Sequence, residues 1–243
     1  FLPHFSKTML KHIVTLLLIT ILASCSNTVD TVTETTIQPK LSSTFMYDEY
    51  NIDTTKSERI PGTTDTLVSI FVLTGQTFKG KTNVSTVISS TKKGAKLFYD
   101  TLYVNYEANN DISLIDASGF TAAKWATIPV ASKSPISVVL SDTTYTDDFT
   151  GKVIHGTINL ISSYIGMETM TVNEKSFKVV KIKQLLTFKE ESTSETNTDM
   201  VTNYMYFAPS FGYMLKMETP VRTYQSGEKE EGSVSTIIDY LLR

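Results

Sequence analysis

Cysteine is nearly absent from this chain: Cys25 is the only one in 243 residues. That excludes an intramolecular disulfide and any CxxC redox or zinc arrangement. Histidine is almost as scarce, and of the three present only His155 lies beyond residue 12. Zinc sites need about three or four converging His, Cys or carboxylate ligands, so no metal site is expected. A Ser-His-Asp arrangement would have to use His155 or not exist. Neither a Walker loop nor a GxGxxG occurs, so no phosphate cradle is announced. With 22 basic against 25 acidic side chains and no basic stripe, nucleic acid is not an expected partner. Long apolar runs are missing too. The cleanest, Ile13 to Ala23, holds eleven residues without a charge, against the ~20 that span a bilayer as a helix.

What the chain does have is an address. A short basic stretch, Met9-Leu10-Lys11-His12, precedes that apolar run, and Leu22-Ala23-Ser24-Cys25 closes it. These are the n-region, h-region and small-residue cleavage site of a secretory signal. Residues Phe1 to Thr8 read as an upstream-start artefact or part of a longer n-region. The tetrapeptide resembles the bacterial lipobox, which implies cleavage before Cys25 and attachment of diacylglycerol and an N-acyl chain to it. The lipid on Cys25, with palmitate-like chains, would then bind the membrane, since each buried CH₂ contributes ~0.8 kcal/mol and two or three chains hold a protein on a bilayer. The alternative, a cytosolic cysteine packed as a small hydrophobe, fits poorly with its place between an apolar run and a Ser/Thr-rich segment. Residues 1–24 contain Lys7 and Lys11 and no acid, so their removal leaves 20 basic and 25 acidic groups, a net of −5. Ser26 after the cysteine, where aspartate would favour inner-membrane retention, points to the outer membrane.

Residues 25–44 form the acylated cysteine and a Ser/Thr-rich tether with too little apolar content to fold alone, and residues 45–243 a single β domain. Within the tether, Thr28 to Ile37 has enough Val and Thr to add an edge strand instead. Eleven segments have strand composition: Thr66 to Phe78, Thr82 to Ser90, Ala95 to Tyr106, Asp111 to Asp116, Ile136 to Tyr145, Lys152 to Ser162, Glu168 to Val172, Ser176 to Lys189, Thr202 to Phe207, Tyr213 to Thr219 and Ser233 to Leu242. Turn chemistry separates them, as at Pro61-Gly62, Lys79-Gly80, Asn109-Asn110 and Asn173-Glu174. No helical period of ten residues or more interrupts them. The expected fold is therefore all-β, an antiparallel meander forming a curled sheet (half barrel) or a β-sandwich. In Ser176 to Lys189, Val180, Ile182, Leu186 and Phe188 alternate with lysines, the pattern of a half-wet strand. Leu97 to Tyr106 is apolar on both faces, which predicts burial on both sides.

Catalytic candidates are few. His155 sits on the polar face of its strand and reads as an exposed or hydrogen-bonded sheet histidine. Asp147-Asp148, Glu190-Glu191 and Glu230-Glu231 are neighbours in sequence, so in extended chain their side chains diverge, and they read as solvated acids near turns. Asp142, Asp147 and Asp148 lack the spacing of a calcium loop. The sequon at Asn83 is a pattern only. No catalytic residue, metal ligand or cofactor is expected, and an enzyme is the least favoured class.

A second resemblance lies near the C-terminus. Tyr204-Met205-Tyr206-Phe207-Ala208-Pro209-Ser210-Phe211-Gly212-Tyr213-Met214-Leu215-Lys216 is similar to a "yyFAPgvGlvk" hairpin of β-rich envelope proteins, among them uncharacterised Bacteroidetes-type lipoproteins and families shaped like lipoprotein carriers. Ser210-Phe211 departs from the usual Gly-Val. The resemblance implies a half barrel whose concave face holds an acyl chain or a partner. An apolar sheet with no helix to cover it meets the same requirement by closing, doubling or taking a ligand. In plain core packing, Phe71, Phe98, Tyr99, Tyr103, Trp125, Phe177 and Phe188 would fill a dry interior instead. The favoured function is a membrane-anchored, non-catalytic binding module for a lipid, lipoprotein or other hydrophobic ligand. The alternative is a structural lipoprotein that presents a β-sandwich to an envelope partner.

Overall fold

The computed structural model describes residues 36–93, 96–116, 124–148, 151–224 and 227–243, and among these there is no helix. The expected signal, Cys25 and the first part of the tether lie outside the described residues. Fourteen strands follow in chain order: β1 (Thr44–Ile52), β2 (Asp65–Phe78), β3 (Lys81–Lys93), β4 (Lys96–Tyr106), β5 (Ile112–Asp116), β6 (Ala126–Ile128), β7 (Ile136–Thr146), β8 (Val153–Val172), β9 (Lys175–Glu191), β10 (Thr196–Ala208), β11 (Tyr213–Thr219), β12 (Arg222–Thr223), β13 (Lys229–Glu230) and β14 (Gly232–Leu241). Twelve of them make one antiparallel sheet in the order β6-β5-β4-β3-β2-β1-β14-β11-β10-β9-β8-β7, and β12 and β13 make a separate small hairpin. The fold is thus two meanders, β1 to β6 and β7 to β11, joined side by side by β14.

This order dictates the shape. The two edge strands, β6 and β7, are consecutive in sequence and joined by residues 129–135, a link that reaches at most ~28 Å. Twelve flat strands at ~4.8 Å spacing would set the edges roughly 50 Å apart. The sheet must therefore curl until β6 approaches β7 and β8, as it does. One continuous curled sheet is what the half-barrel expectation describes, and the two packed sheets of a sandwich are not what forms. Bulges supply the bending, at Ile238 in β14 opposite Met46 and Tyr47, at Leu140 in β7, at Ile165 in β8 and at three places along the β2–β3 ladder. The crossing link is pinned on both sides. Buried Asp111 accepts the amides of Ala131 and Ser132 through Oδ1, at 2.8 and 3.0 Å, and Lys133 Nζ lies 5.0 Å from the centre of the Tyr164 ring on β8.

The core sits at one end of the curl. Phe45, Phe71, Phe211 and Tyr213 pack edge-on or tilted, with ring centres 4.8 to 5.7 Å apart, and Phe177 and Tyr240 close on Phe211. Residues 36–43, expected in the tether, lie against this closed end. Ile37 donates its amide to the Pro209 carbonyl, Ser42 and Ser43 bond to Phe71, and Pro39 and Ser43 are buried. Gly212 permits the approach, because a Cβ there would overlap the Ile37 carbonyl.

Several aromatic expectations need correcting. Phe98 and Tyr99 are exposed rather than buried, and so is Leu97; among the described residues the upper half of β4 has no ladder to β5 above Leu102. Tyr103 and Trp125 are also not in the interior. Tyr103 points to the convex side, where it stacks on Phe78 at 4.0 Å, and Trp125 packs edge-on against Phe78. Phe71 is fully buried, while Phe177 and Phe188 are half-buried. The two segments expected on either side of Ile165 are a single 20-residue strand, β8.

Candidate functional site

The concave face of the sheet encloses a cavity of about 300 Å³, lined from both meanders. Alternation puts Leu102 and Val104 of β4 inside together with Asp100, and across the curl Met205 and Phe207 of β10 and Met217 of β11 face them. Ile112, Ile128, Val104 and Tyr213 make the deep end, all of them buried. Leu67, Ser89, Asp100 and Gln184, half-buried or exposed, ring the end toward the β3–β4 tip. The polar groups in the wall are mostly occupied. Ser69 Oγ and Ser89 Oγ lie 2.8 Å apart, and Tyr47 donates its hydroxyl to the Met214 carbonyl at 2.7 Å. Tyr106, beneath the wall, donates to the Gly212 carbonyl at 2.8 Å.

Burial holds these phenols neutral. Desolvation pushes Tyr47 and Tyr106 well above the ordinary tyrosine range, helped by neighbouring tyrosines, and raises Tyr213 to about 12. The deep end is therefore an uncharged apolar surface at any physiological pH. Met205, Met214 and Met217 add flexible, polarisable walls that can adjust to an occupant.

The residues singled out for chemistry lie elsewhere. His155 is half-buried on β8, with Nε2 2.7 Å from Asp142 Oδ1 and Nδ1 3.8 Å from Glu191 Oε2. Its pKa is raised, first by the hydrogen bond with Asp142, and Glu191 is lowered, chiefly by Lys189. Glu190 accepts the Tyr145 hydroxyl, Glu230 pairs with Arg222, and Glu231 accepts an amide of Asn51. Asp147 and Glu190 line one surface pocket together with Lys152, and Glu230 and Glu231 line another with Arg222, both apart from the concave cavity. Among the described residues no group of three His, Cys, Asp or Glu side chains converges as a metal site. Asn83 is exposed near the start of β3, and Cys25 lies outside the described residues. Sequence reasoning placed Met205, Phe207, Tyr213 and Met214 together in one hairpin but did not single out Leu102 and Met217 as lining residues. Their inward parity was the available signal.

No known protein-family profile matches the chain, and no curated protein matches it. Two solved structures resemble it in outline. One, provisionally named a lipoprotein, is from Parabacteroides distasonis, with a TM-score of 0.45 and 10% identity over 86% of this chain and 100% of that one. The other, provisionally named an exported protein with a YmcC-like fold, is from Bacteroides fragilis, with a TM-score of 0.42 and 12% identity over 86% of this chain and 99% of that one.

Proposed function

We propose that this chain is a lipid-anchored protein of the bacterial cell envelope, held at the outer membrane, whose β domain binds a hydrophobic group without catalysing a reaction. The observation that carries this reading is the apolar cavity shared by the two meanders, open at a polar rim and lined by buried tyrosines at its other end. At about 300 Å³ it falls at the small end of the ~300–1,000 Å³ of small-molecule sites. It is about twice the ~150 Å³ of an apolar cavity that takes benzene. A single hydrocarbon segment, such as part of one acyl chain, fits that size and lining better than a whole diacyl lipid. Asp100 and Gln184 at the rim would meet the polar end of such a ligand. The non-catalytic part of the reading is supported by the separation of roles, since His155 and the acidic pairs are not among the lining residues.

Titration with a fluorescent fatty acid that brightens in apolar surroundings tests the ligand. Saturable binding is expected, lost when Met205→Trp fills the cavity; unchanged binding by that variant would sink the reading. The anchor is tested separately by growing a bacterial host on an alkyne-tagged palmitate. Label should appear on the protein and vanish with Cys25→Ala, and label that persists would place the lipid elsewhere.

A further inference from the structure

The tip of the β3–β4 hairpin, residues 91–99, reads Thr-Lys-Lys-Gly-Ala-Lys-Leu-Phe-Tyr, with three lysines and no acid in a chain of net charge −3. Leu97, Phe98 and Tyr99 are consecutive, and alternation sends them to opposite faces of the hairpin, so no one packing face can bury all three. They stand 50, 51 and 69% exposed. Exposed Lys92 lies directly across from Leu97, and exposed Lys96 adjoins it. Among the described residues, pairing of β4 with β5 begins only at Leu102, so the tip has no ladder partner on that side. Other loops at this end differ: residues 147–148 are both Asp, residues 192–195 read Ser-Thr-Ser-Glu, and residues 53–64 balance two acids, Asp53 and Glu58, with two bases, Lys56 and Arg59. On the concave face Phe98 stands one step above Asp100, so the tip belongs to the rim of the cavity. The chain enters at the opposite end, where Ile37 meets Pro209.

We propose that this tip is a bilayer-contact element, which lays Leu97, Phe98 and Tyr99 into the interfacial layer of an anionic membrane while Lys92 and Lys96 meet lipid headgroups. Tyrosine and other amphipathic rings favour that layer, and lysine stems follow apolar surface while their ammonium groups reach anions. Charge selects lipid over a second copy of this chain, since two such tips would bring like charges together. The contact concerns the tip alone and holds whether or not the cavity takes a ligand.

The test uses the chain from Ser26, which keeps the compact unit Val32–Arg243 and every core residue. It is sedimented with vesicles of phosphatidylcholine alone or mixed with phosphatidylglycerol. Binding is expected on the mixed vesicles and to be far weaker on the neutral ones. Lys92→Gln with Lys96→Gln should weaken it about 30-fold, the equivalent of about 1 kcal/mol per lysine. Leu97→Ser, Phe98→Ser and Tyr99→Ser together should weaken it on both. An environment-sensitive dye on Phe98→Cys should shift to the blue on anionic vesicles, a readout independent of the triple variant's folding. No binding by the parent chain, equal binding by all variants, or an unshifted dye would overturn the proposal. So would a dimer that the triple variant turns to monomer while vesicle binding stays the same.

Discussion

At Gly212 the backbone has a φ of 75°, and a Cβ would run into the carbonyl of Ile37. Gly212→Ala should therefore cost about 1–3 kcal/mol in chemical denaturation, and it should free residues 36–43 to proteolysis. A variant as stable as the parent would mean that the segment does not lie there. The sequence shows that this turn needs a permissive residue, but not why, because Ile37 is distant in the chain and carries no period that points to its partner. His155 gives a second residue-scale prediction. Its hydrogen bond with Asp142 raises its pKa above the unfolded value of about 6.5. The stability it contributes is thus fully present below about pH 6.5 and is lost as pH rises through the folded pKa. A proton NMR titration should find His155 above 6.5, and Asp142→Asn should bring it down. Glu191 was legible as a surface acid near a turn signal, whereas Asp142 lies within β7 and reaches His155 only through the β7–β8 ladder.

Among the elements, β8 shows how a bulge hides a strand. Its alternation breaks at Ile165, which stands 51% exposed between Tyr164, opposite Ile182, and Gly166, opposite Lys181. A period-2 reading sees two short strands where the ladder sees one. Deleting Ile165 removes the extra residue and leaves every other side chain of β8 on its own face. Deleting Asn159 moves one side of the strand onto the wrong face. Circular dichroism should find the first variant folded and the second unfolded; equal damage from both would contradict the assignment of Ile165 as the inserted residue. Strand β1 was hidden for another reason. Asp48, Glu49 and Asn51 dilute its pattern, and its stability comes from pairing with both β2 and β14. The three residues of β6 are too few to show any period. By contrast β9 and β11 were plain, because lysines alternate with apolar residues in the one and Gly212 sets the start of the other.

For the whole molecule, the decisive feature is the seam. The curl follows from a seven-residue link between the two edge strands, and Asp111 holds that link by two backbone amides. Asp111→Ala leaves those donors unpartnered and should cost about 2–4 kcal/mol, read as a lower midpoint in urea. The fold class was legible because so many half-polar strands with no helix to cover them must curl or double. Which of the two occurs was not, since it depends on β6 and β7 being spatial opposites, a fact of topology that no local pattern encodes. The cavity is a consequence of that closure, and the account stands on whether it is occupied. Native mass spectrometry of the chain from Ser26, incubated with a lipid extract of a bacterial envelope and repurified under gentle conditions, tests this most directly. The account predicts a bound hydrophobic species of acyl size that Met205→Trp excludes. A ligand-free mass for the parent chain, or the same adduct on both, would contradict it.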